Sequence, residues 1–154
     1  MKLDVIDVNL LSILQEDCKL TNKELSNRLS LSVTAVYERI KKLEREGFIK
    51  KYVALLDRNQ LHRDFVVLCH VRLDRHKREF WSKFEDDVLK LNEVTECLHV
   101  SGDYDYILKV RVRDMNAFRD FLGEKLTTLE HIGSTHSTFV INEVKSTTAI
   151  PCNV

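Results

Sequence analysis

The hydrophobic pattern of this chain changes its period once, and that change constrains the fold more than any other feature. From Asp4 to about Glu46 the apolar residues recur at helical spacing, whereas after Asp57 strand-like alternation appears between helical stretches. A helical first part followed by mixed strands and helices predicts an α+β protein. The 154 residues are enough for one domain or two small ones.

Three short helices are predicted in the first part of the chain. Thr21 and Glu24 form a capping box that begins the second helix, Ser32 caps the third, and Gly47 ends it. Only residues 30–32 separate the last two helices, so the pair must turn sharply, as in a helix-turn-helix. The apolar residues that define the inner faces are Ile6, Leu10, Ile13, Leu14, Leu25, Leu29, Val36, Ile40 and Leu43.

The third helix is apolar on one face and basic on the other. A helix that is anchored by its apolar face can present its polar face to the major groove of DNA. Lys50 and Lys51, in the stretch FIKKYVALLD that follows Gly47, can reach phosphates, and this stretch is predicted to be a strand or a small wing. The residues predicted to face away from the core are Thr34, Tyr37, Glu38, Lys41, Lys42 and Arg45.

A solvated helix is the alternative interpretation of this charged face. Pairs four residues apart, such as Glu38 with Lys42, stabilise helices that bind nothing. The chain has 24 Lys and Arg and 24 Asp and Glu, so bulk charge attracts it neither to DNA nor to membranes. Residues 32–58 contain seven basic and four acidic residues, and any attraction to DNA must therefore be local.

The second part of the chain predicts the order βαββαβ. This order is that of a ferredoxin-like unit, a four-stranded antiparallel sheet with both helices on one face. The other face is expected to be uncovered and mostly apolar, which favours a homodimer. The segments are FVVLCHVRLD, KREFWSKFEDDVLKL, VTECLHVSG, YDYILKVRV, MNAFRDFLGEKLTTL and STFVINEVK.

The loop SGDYDY, residues 101–106, connects the second and third predicted strands and has two interpretations. Gly102 allows a positive φ, and Asp103 and Asp105 place two carboxylates in one tight turn. Such residues are typical of an ordinary hairpin. They also suit a small-ligand site, where a carboxylate beside exposed backbone donors could hold an ammonium group. The loop alone does not decide between them.

Several other classes of protein find no support in the sequence. Cys18, Cys69, Cys97 and Cys152 are far apart, which predicts free thiols in a reducing cytoplasm. No signal-peptide layout or membrane-spanning apolar run is present, and no phosphate-binding loop, catalytic pattern or cofactor motif is present either. No metal is expected, because no ligand spacing joins the histidines at 62, 70, 76, 99, 131 and 136. An enzyme of ferredoxin-like fold would leave the N-terminal helices without a role.

Over nearly its full length the chain resembles the Lrp/AsnC (leucine-responsive, or feast/famine) family of prokaryotic transcription regulators. Four blocks in the family's order and spacing support this resemblance, and SGDYDYILKVRV is most similar to the leucine-responsive branch. The blocks are LDVIDVNLLSILQED at 3–17, LSVTAVYERIKKLEREGFIKKYVALLD at 31–57, VSGDYDYILKVRVRDM at 100–115 and FVINEVK at 139–145.

The resemblance implies a winged helix-turn-helix at residues 1–57, a linker at 58–64 and a ferredoxin-like effector domain at 65–154. Family members bind double-stranded DNA in the prokaryotic cytoplasm, associate with the nucleoid, and pair through their sheets as dimers. Many assemble as octamers, tetramers of dimers, and bind an amino acid in a cleft between dimers. The runner-up expectation is an architectural DNA-binding protein that ignores small ligands.

Residue by residue, the resemblance makes Ser32 and Thr34 the start of the recognition helix. Two departures from the family pattern affect that helix, since Val33 replaces a frequent proline and Ser30 a frequent turn glycine. If the turn requires a positive φ, Ser30 costs about 1 kcal/mol. Ser137 replaces a common threonine and keeps the hydroxyl, which leaves the effector unnamed. The effector residues implied are Ser101, Gly102, Asp103, Tyr104, Asp105, Thr135 and Ser137.

Overall fold

The computed structural model describes residues 2–75 and 77–152 and divides the chain into two compact units. The first unit contains the residues up to Leu55 together with those from Lys145 onward, and the second contains residues 56–144. The chain therefore contributes to the first unit twice. The C-terminal tail, placed in the second domain by the sequence, groups with the helical unit instead.

The first unit is built from three helices around a small apolar core. They are α1 (Val5–Glu16), α2 (Asn22–Leu29) and α3 (Val33–Arg45). The predicted inner-face residues Leu10, Leu25, Val36 and Leu43 are all at most 1% exposed and form that core. The helix-turn-helix expected from the periodicity is thus confirmed.

The helix ends are fixed by short-range hydrogen bonds. The Thr21 hydroxyl accepts from the Glu24 N–H at 3.2 Å, and the Glu24 carboxylate accepts from the Thr21 N–H at 2.7 Å, which confirms the predicted capping box. The Ser32 hydroxyl accepts from the Ala35 N–H at 3.1 Å. Asp4 begins α1 with a second capping box, through Asp7, that the sequence analysis did not identify.

The turn between α2 and α3 has the conformation that favours glycine. Ser30 has φ 53° and ψ 43°, in the left-handed region. We expect Ser30→Gly to raise the free energy of unfolding of the first unit by about 0.5–1 kcal/mol, because glycine adopts this conformation without a Cβ clash. Urea titration measures the change. Ser12→Gly, at an exposed position of α1, is the matched control and should lower the free energy of unfolding. If Ser30→Gly also lowered it, the backbone at Ser30 would not be strained.

The stretch FIKKYVALLD does not form the predicted strand, since residues 49–57 have no ladder in this chain. Gly47, with φ 79°, ends α3 as expected. The Tyr52 hydroxyl donates to the Glu44 carboxylate at 3.1 Å and ties the stretch to α3. The first unit contains no other described strand, so this stretch has no partner within the chain with which to form a ladder.

The second unit is a four-stranded antiparallel sheet with two helices, and it confirms the ferredoxin-like prediction. Its strands follow the spatial order β2-β3-β1-β4, with β1 and β3 in the centre. A short 3-10 turn at Leu126–Thr128 follows the second helix. The elements are β1 (Phe65–Leu73), α4 (Arg78–Val88), β2 (Val94–His99), β3 (Tyr106–Val112), α5 (Met115–Glu124) and β4 (Ile132–Phe139).

The last strand lies earlier in the chain than the sequence predicted. The segment STFVINEVK, residues 137–145, was expected to be this strand, but β4 is Ile132–Phe139 and residues 140–145 have no strand structure. β4 is an edge strand that pairs only with β1. An edge strand tolerates polar residues, so its sequence, IGSTHSTF, lacks the apolar alternation that identifies central strands.

One face of the sheet is packed against the helices. Alternate residues of the central strands, among them Val67, Cys69, Leu108 and Val110, are fully buried there. Phe84 of α4 and Phe118 and Phe121 of α5 cover them, and all three are at most 2% exposed. This core fixes the ends of the strands, and with them the loop at residues 101–105.

The opposite, open face is mixed rather than mostly apolar, which corrects the expectation from the sequence. The strand register places Leu68 and Ile107 on it, but also His70, Lys109 and Arg111. After β4 the chain leads from the β4 edge to β3 on this side, because the Glu143 carboxylate contacts Lys109 and Arg111. Part of the open face is therefore covered by the chain itself.

Candidate DNA-binding and effector sites

Helix α3 presents its predicted polar face to solvent. Its N-terminus is held by the Ser32 cap and its inner face by the fully buried Val36 and Leu43. Every residue proposed from the sequence for DNA contact is exposed, namely Ser32, Thr34, Tyr37, Glu38, Lys41, Lys42, Arg45, Lys50 and Lys51. Tyr37, at 45% exposed, is the large apolar surface on this face.

Local contacts order part of the polar face. Lys41 Nζ lies 2.7 Å from the Glu44 carboxylate and 5.9 Å from the centre of the Tyr37 ring. The hydrogen bond with Glu44 raises the pKa of Lys41 and lowers the pKa of Glu44. Within the described part of the chain no ion pair joins Glu38 to Lys42, the pair that a merely solvated helix would use. The Lys42 ammonium is left available to a phosphate.

Arg39 is a basic residue of α3 whose side chain binds carboxylates of α1 and its N-cap and does not belong to the exposed polar face. Its guanidinium lies 2.8 Å from the Asp4 carboxylate and 2.6 Å from that of Asp7, whose side chain is only 3% exposed. Hydrogen bonds to Asp4 and then to Asp7 raise the pKa of Arg39. These ion pairs therefore fasten the N-terminus of α1 to the middle of α3.

The loop at residues 101–105 is a braced hairpin. Gly102 has φ 122°, the positive value that the sequence predicted. The Asp105 carboxylate accepts from the Leu73 N–H at 2.8 Å, and the Asp105 N–H donates to the Val71 carbonyl at 2.9 Å. Asp105 thus binds β1 at the end of the sheet. This bond is the one that the hairpin interpretation requires, and it holds the carboxylate in a fixed position.

The two hydroxyls of the implied effector site lie on β4, on the other side of β1 from Asp105. Thr135 is the register partner of Val71, and Ser137 is the register partner of Cys69. Both are half-buried on the helix-facing side of the sheet. Because β1 separates them from the loop, Asp105 and Thr135 flank the strand at about 10 Å, two strand spacings. They share one end of the sheet.

An open pocket lies beside the loop. Ser101, Asp103 and Tyr104 line it with His70 and Ile107, whereas Gly102, Asp105, Thr135 and Ser137 do not. Arg72, which was not among the predicted site residues, also reaches the loop: its Nε donates to the Asp103 carbonyl at 2.7 Å, and its guanidinium lies 6.0 Å from the Tyr104 ring. No short motif identifies Arg72, because strand pairing alone brings it to the loop.

A compact charged cluster holds the segment after β4. Glu143 pairs with Lys109 at 3.0 Å, with Arg111 at 2.8 Å, and with Arg58. The hydrogen bonds, first from Arg111 and then from Lys109, lower the pKa of Glu143 to about 2. Three cations therefore surround one carboxylate. No local pattern in the sequence predicts this cluster.

The histidines form no metal site in the described residues. Across residues 2–75 and 77–152, no three His, Cys, Asp or Glu side chains are grouped to hold a metal. His70 and His136 are register partners with ring centres 5.9 Å apart, and His99 stacks on Tyr106 at 4.6 Å. His76 lies outside the described residues. No helix among the described residues is long and apolar enough to cross a membrane.

Two family models together match almost the whole chain. Residues 3–50 match a winged helix-turn-helix DNA-binding model, and residues 66–150 match the Lrp/AsnC ligand binding domain. The chain is 45% identical over 143 residues to the leucine-responsive regulatory proteins of Klebsiella pneumoniae and of Escherichia coli strain K12. Those alignments cover 93% of this chain and 87% of each relative.

Solved structures show the same architecture. The complex of a transcriptional regulator from Neisseria meningitidis with L-Met superposes with a TM-score of 0.92 at 35% identity, and the alignment covers 97% of both chains. An AsnC family transcriptional regulator from Agrobacterium tumefaciens superposes with a TM-score of 0.93, also at 35% identity and 97% coverage of both chains. Both comparisons include the helical unit and the sheet unit.

Proposed function

This chain belongs to the Lrp/AsnC family of transcription regulators, and from that premise we propose how its two units divide the work. The protein is a DNA-binding regulator that responds to an amino acid, not an enzyme. In our proposal α3 reads the major groove, Lys50 and Lys51 contact phosphates, and the end of the sheet near Asp105 binds the effector. The observation that chiefly supports this proposal is the exposed polar face of α3. The ion pair between Arg39 and Asp7 of α1 holds this helix in place.

The DNA-binding part of the proposal depends on exposure and charge. The nine candidate residues are all exposed, and five of them are Lys or Arg. Phosphate contacts by Lys and Arg supply affinity irrespective of sequence, whereas side chains near the start of a recognition helix read base edges. Lys42, Lys50 and Lys51 are therefore assigned to phosphates, and Ser32, Thr34 and Tyr37 to the groove.

Substitution on α3 tests this assignment. We expect Lys42→Ala to weaken binding to all DNA sequences about tenfold and to reduce the salt slope by about 2 for a dimer, because each subunit loses one phosphate contact. Thr34→Ala should mainly reduce the preference for the operator, by about 1 kcal/mol. Fluorescence anisotropy over a range of salt concentrations measures both.

Lys90→Ala is the matched control for the DNA experiment. Lys90 lies in the second unit and pairs at the surface with Asp87 at 2.7 Å, a contact of small energy. It should change neither affinity nor slope. Wild-type affinity and slope in both α3 variants would remove this helix from the DNA interface.

The effector proposal rests on a fixed carboxylate beside backbone and hydroxyl donors. Asp105 is held by the Leu73 N–H, the Thr135 hydroxyl lies beyond β1 at the same end of the sheet, and Ser137 lies two residues further along β4. An α-amino acid requires an anion for its ammonium and donors for its carboxylate. A small or apolar amino acid is proposed, since L-Met is present in the Neisseria relative and leucine names the 45% identical ones.

Removing the carboxylate tests the effector site. We expect isothermal titration to detect binding of leucine or methionine to the intact protein, and Asp105→Asn to abolish both the binding and the change in DNA affinity. Asn retains an acceptor for the Leu73 N–H, so the hairpin should survive and basal DNA binding should be unchanged. Thr95→Ser, on an exposed strand position, is the control.

The opposite result would separate the two interpretations of the loop. If Asp105→Asn binds the amino acid normally but lowers the thermal midpoint, the carboxylate only braces the hairpin. If no amino acid binds the intact protein at millimolar concentration, the effector part of the proposal is wrong. The protein would then act as an architectural DNA-binding protein.

We further propose that the protein is a homodimer that assembles into a tetramer of dimers in the cytoplasm, associated with the nucleoid. The open face carries Leu98 at 53% exposed, with Leu68 and Ile107 half-buried and both signs of charge, which suits a twofold contact. A second apolar surface is formed by Val53, Leu55 and Leu56, which are 58–71% exposed, and in our proposal another subunit buries it. Light scattering with and without the amino acid measures the assembly during the effector titration.

A further inference from the structure

The end of the chain lines an open groove on the first unit. Leu11 and Leu14 of α1 form one wall, and residues 48–52 form the other. Ile150, Pro151 and Cys152 complete the lining of this groove. The segment reaches it after the whole second unit has been completed, so its position is not a consequence of local sequence.

Gln15 binds the backbone of the tail at two points. Its side-chain Nε2 donates to the Ile150 carbonyl at 3.0 Å, and its Oε1 accepts from the Ile150 N–H at 2.7 Å. This pairing satisfies both backbone groups of one extended residue, as a neighbouring strand would. The Ile150 side chain itself is 72% exposed, so the tail is held by its backbone rather than by this side chain.

The last described residue adds an apolar contact. Cys152 is half-buried and packs against the core of the helical unit, and its Sγ lies 3.5 Å from Gln15 Nε2. Its thiol is free. The tail thus has an apolar end anchored beside the helices and a hydrogen-bonded residue two positions before it.

The other end of the tail begins close to the charged cluster. Glu143 is held by Lys109 and Arg111 in the second unit, and residues 145–149 then lead to the docked Ile150. Together with the passage at residue 55, this gives the chain two covalent connections between its units. The second connection has a fixed point within each unit.

The groove that the tail lines also carries basic residues. Lys50 and Lys51 line the groove together with Phe48, Ile49 and Tyr52. Residues 49–57 have no strand ladder to hold them, so other contacts must order this wall. Tyr52 donates to Glu44, and the tail lines the same groove as this segment.

We propose that residues 150–152 are a docked strap of the DNA-binding unit, bound through Gln15, and that the strap orders the Lys50–Lys51 segment for contact with phosphates. This rests on the proposed function for its effect on DNA but not for the docking itself. The strap and the Lys50–Lys51 segment line the same groove, and this places the two segments beside each other. Loss of docking should therefore weaken DNA binding without removing any basic residue.

Hydrogen exchange in the intact protein tests the docking. Gln15→Ala keeps a good helix former in α1 but removes both bonds to Ile150. We expect it to accelerate exchange in the C-terminal peptide and in residues 48–52 together. Gln60→Ala, an exposed position in the second unit, is the matched control and should leave both peptides as in the wild type. If Gln15→Ala left exchange in both peptides unchanged, the proposal that Gln15 docks the tail would be wrong.

A double-mutant cycle tests the effect on DNA. We expect a chain ending at Ala149 to lose affinity about five- to tenfold with a lower salt slope. The same truncation should cost much less in the Lys50→Ala/Lys51→Ala background, because the segment it orders no longer contacts phosphates. A synthetic peptide of residues 146–154, added at high concentration, should restore part of the affinity to the truncated chain only.

The outcomes separate this inference from the function on which it rests. Equal losses in both backgrounds, or no loss in either, would overturn the strap's role in phosphate contact. If the intact protein itself binds no DNA, the proposed function fails, and hydrogen exchange still decides the docking. If the truncated chain unfolds, the Gln15→Ala variant replaces it in the cycle.

Discussion

Replacing Arg39 with methionine is expected to lower the free energy of unfolding of the helical unit by about 3 kcal/mol, the largest effect of any single substitution proposed for this protein. The substitution keeps the volume and helix propensity of the side chain but leaves the Asp7 carboxylate, 3% exposed, without its cation. Removing one partner of a buried ion pair costs about 3–5 kcal/mol, and the lower end applies because Arg39 is 27% exposed. Chemical denaturation monitored by far-UV circular dichroism measures the loss.

Two further variants make this prediction specific. Arg45→Met changes an arginine of the same helix that is 72% exposed, and it should alter stability by less than about 0.5 kcal/mol. Adding Asp7→Asn to Arg39→Met should recover part of the stability, since an uncharged amide is less costly to bury than a carboxylate. Equal effects of Arg39→Met and Arg45→Met would show that the pair does not hold α1 to α3.

The second large effect is an acid-dependent loss of stability in the sheet unit. Glu143 has a folded-state pKa of about 2, lowered from 4.5 by Arg111 and Lys109. A carboxyl group whose pKa is depressed on folding stabilises the protein above its unfolded pKa. That contribution declines as pH falls from about 4.5 towards 2. At neutral pH we expect it to be about 2 kcal/mol, less than the full pKa difference would give, because the side chain is 21% exposed.

Glu143→Gln measures this contribution directly. Above pH 5 the variant should be less stable than the wild type by about 2 kcal/mol, and the difference should shrink as the pH approaches 2, because the wild-type carboxylate is then protonated as well. Glu124→Gln, at an exposed position on α5, should show little difference at any pH. A Glu143→Gln difference that does not depend on pH would mean that the loss reflects packing rather than charge.

Features that depend on residues close together in the chain were accessible from the sequence. The Thr21–Glu24 capping box, the Ser32 cap and the Gly47 helix end each involve at most a few neighbouring residues, so their chemistry is visible in the string itself. The central strands were found for a related reason, because burial of one face of the sheet makes alternate residues along each strand apolar.

The misplaced and missed elements lie where the local pattern is weak. β4 was predicted too late in the chain because an edge strand tolerates polar residues, so its own sequence gives no strand pattern. The apolar residues of FVINEVK resemble a strand pattern, but residues 140–145 form no strand. The stretch FIKKYVALLD has strand-like residues but no neighbouring strand in its unit. A segment forms a strand ladder only when a second strand is available to pair with it, and the sequence of the segment does not show whether such a strand is present.

The sequence by itself determined the two-part architecture and the polar face of α3, because periodicity, caps and turns act over a few residues. Only the tertiary structure decided which charged and amide side chains stabilise the fold. Arg39 and Asp7, Lys109 and Glu143, and Gln15 and Ile150 are each more than 30 residues apart in the chain, yet each pair is within 3.0 Å. A charge or an amide looks the same in the sequence whether it meets water, DNA or a buried partner, and its environment is set by the packing of elements that are distant in the chain.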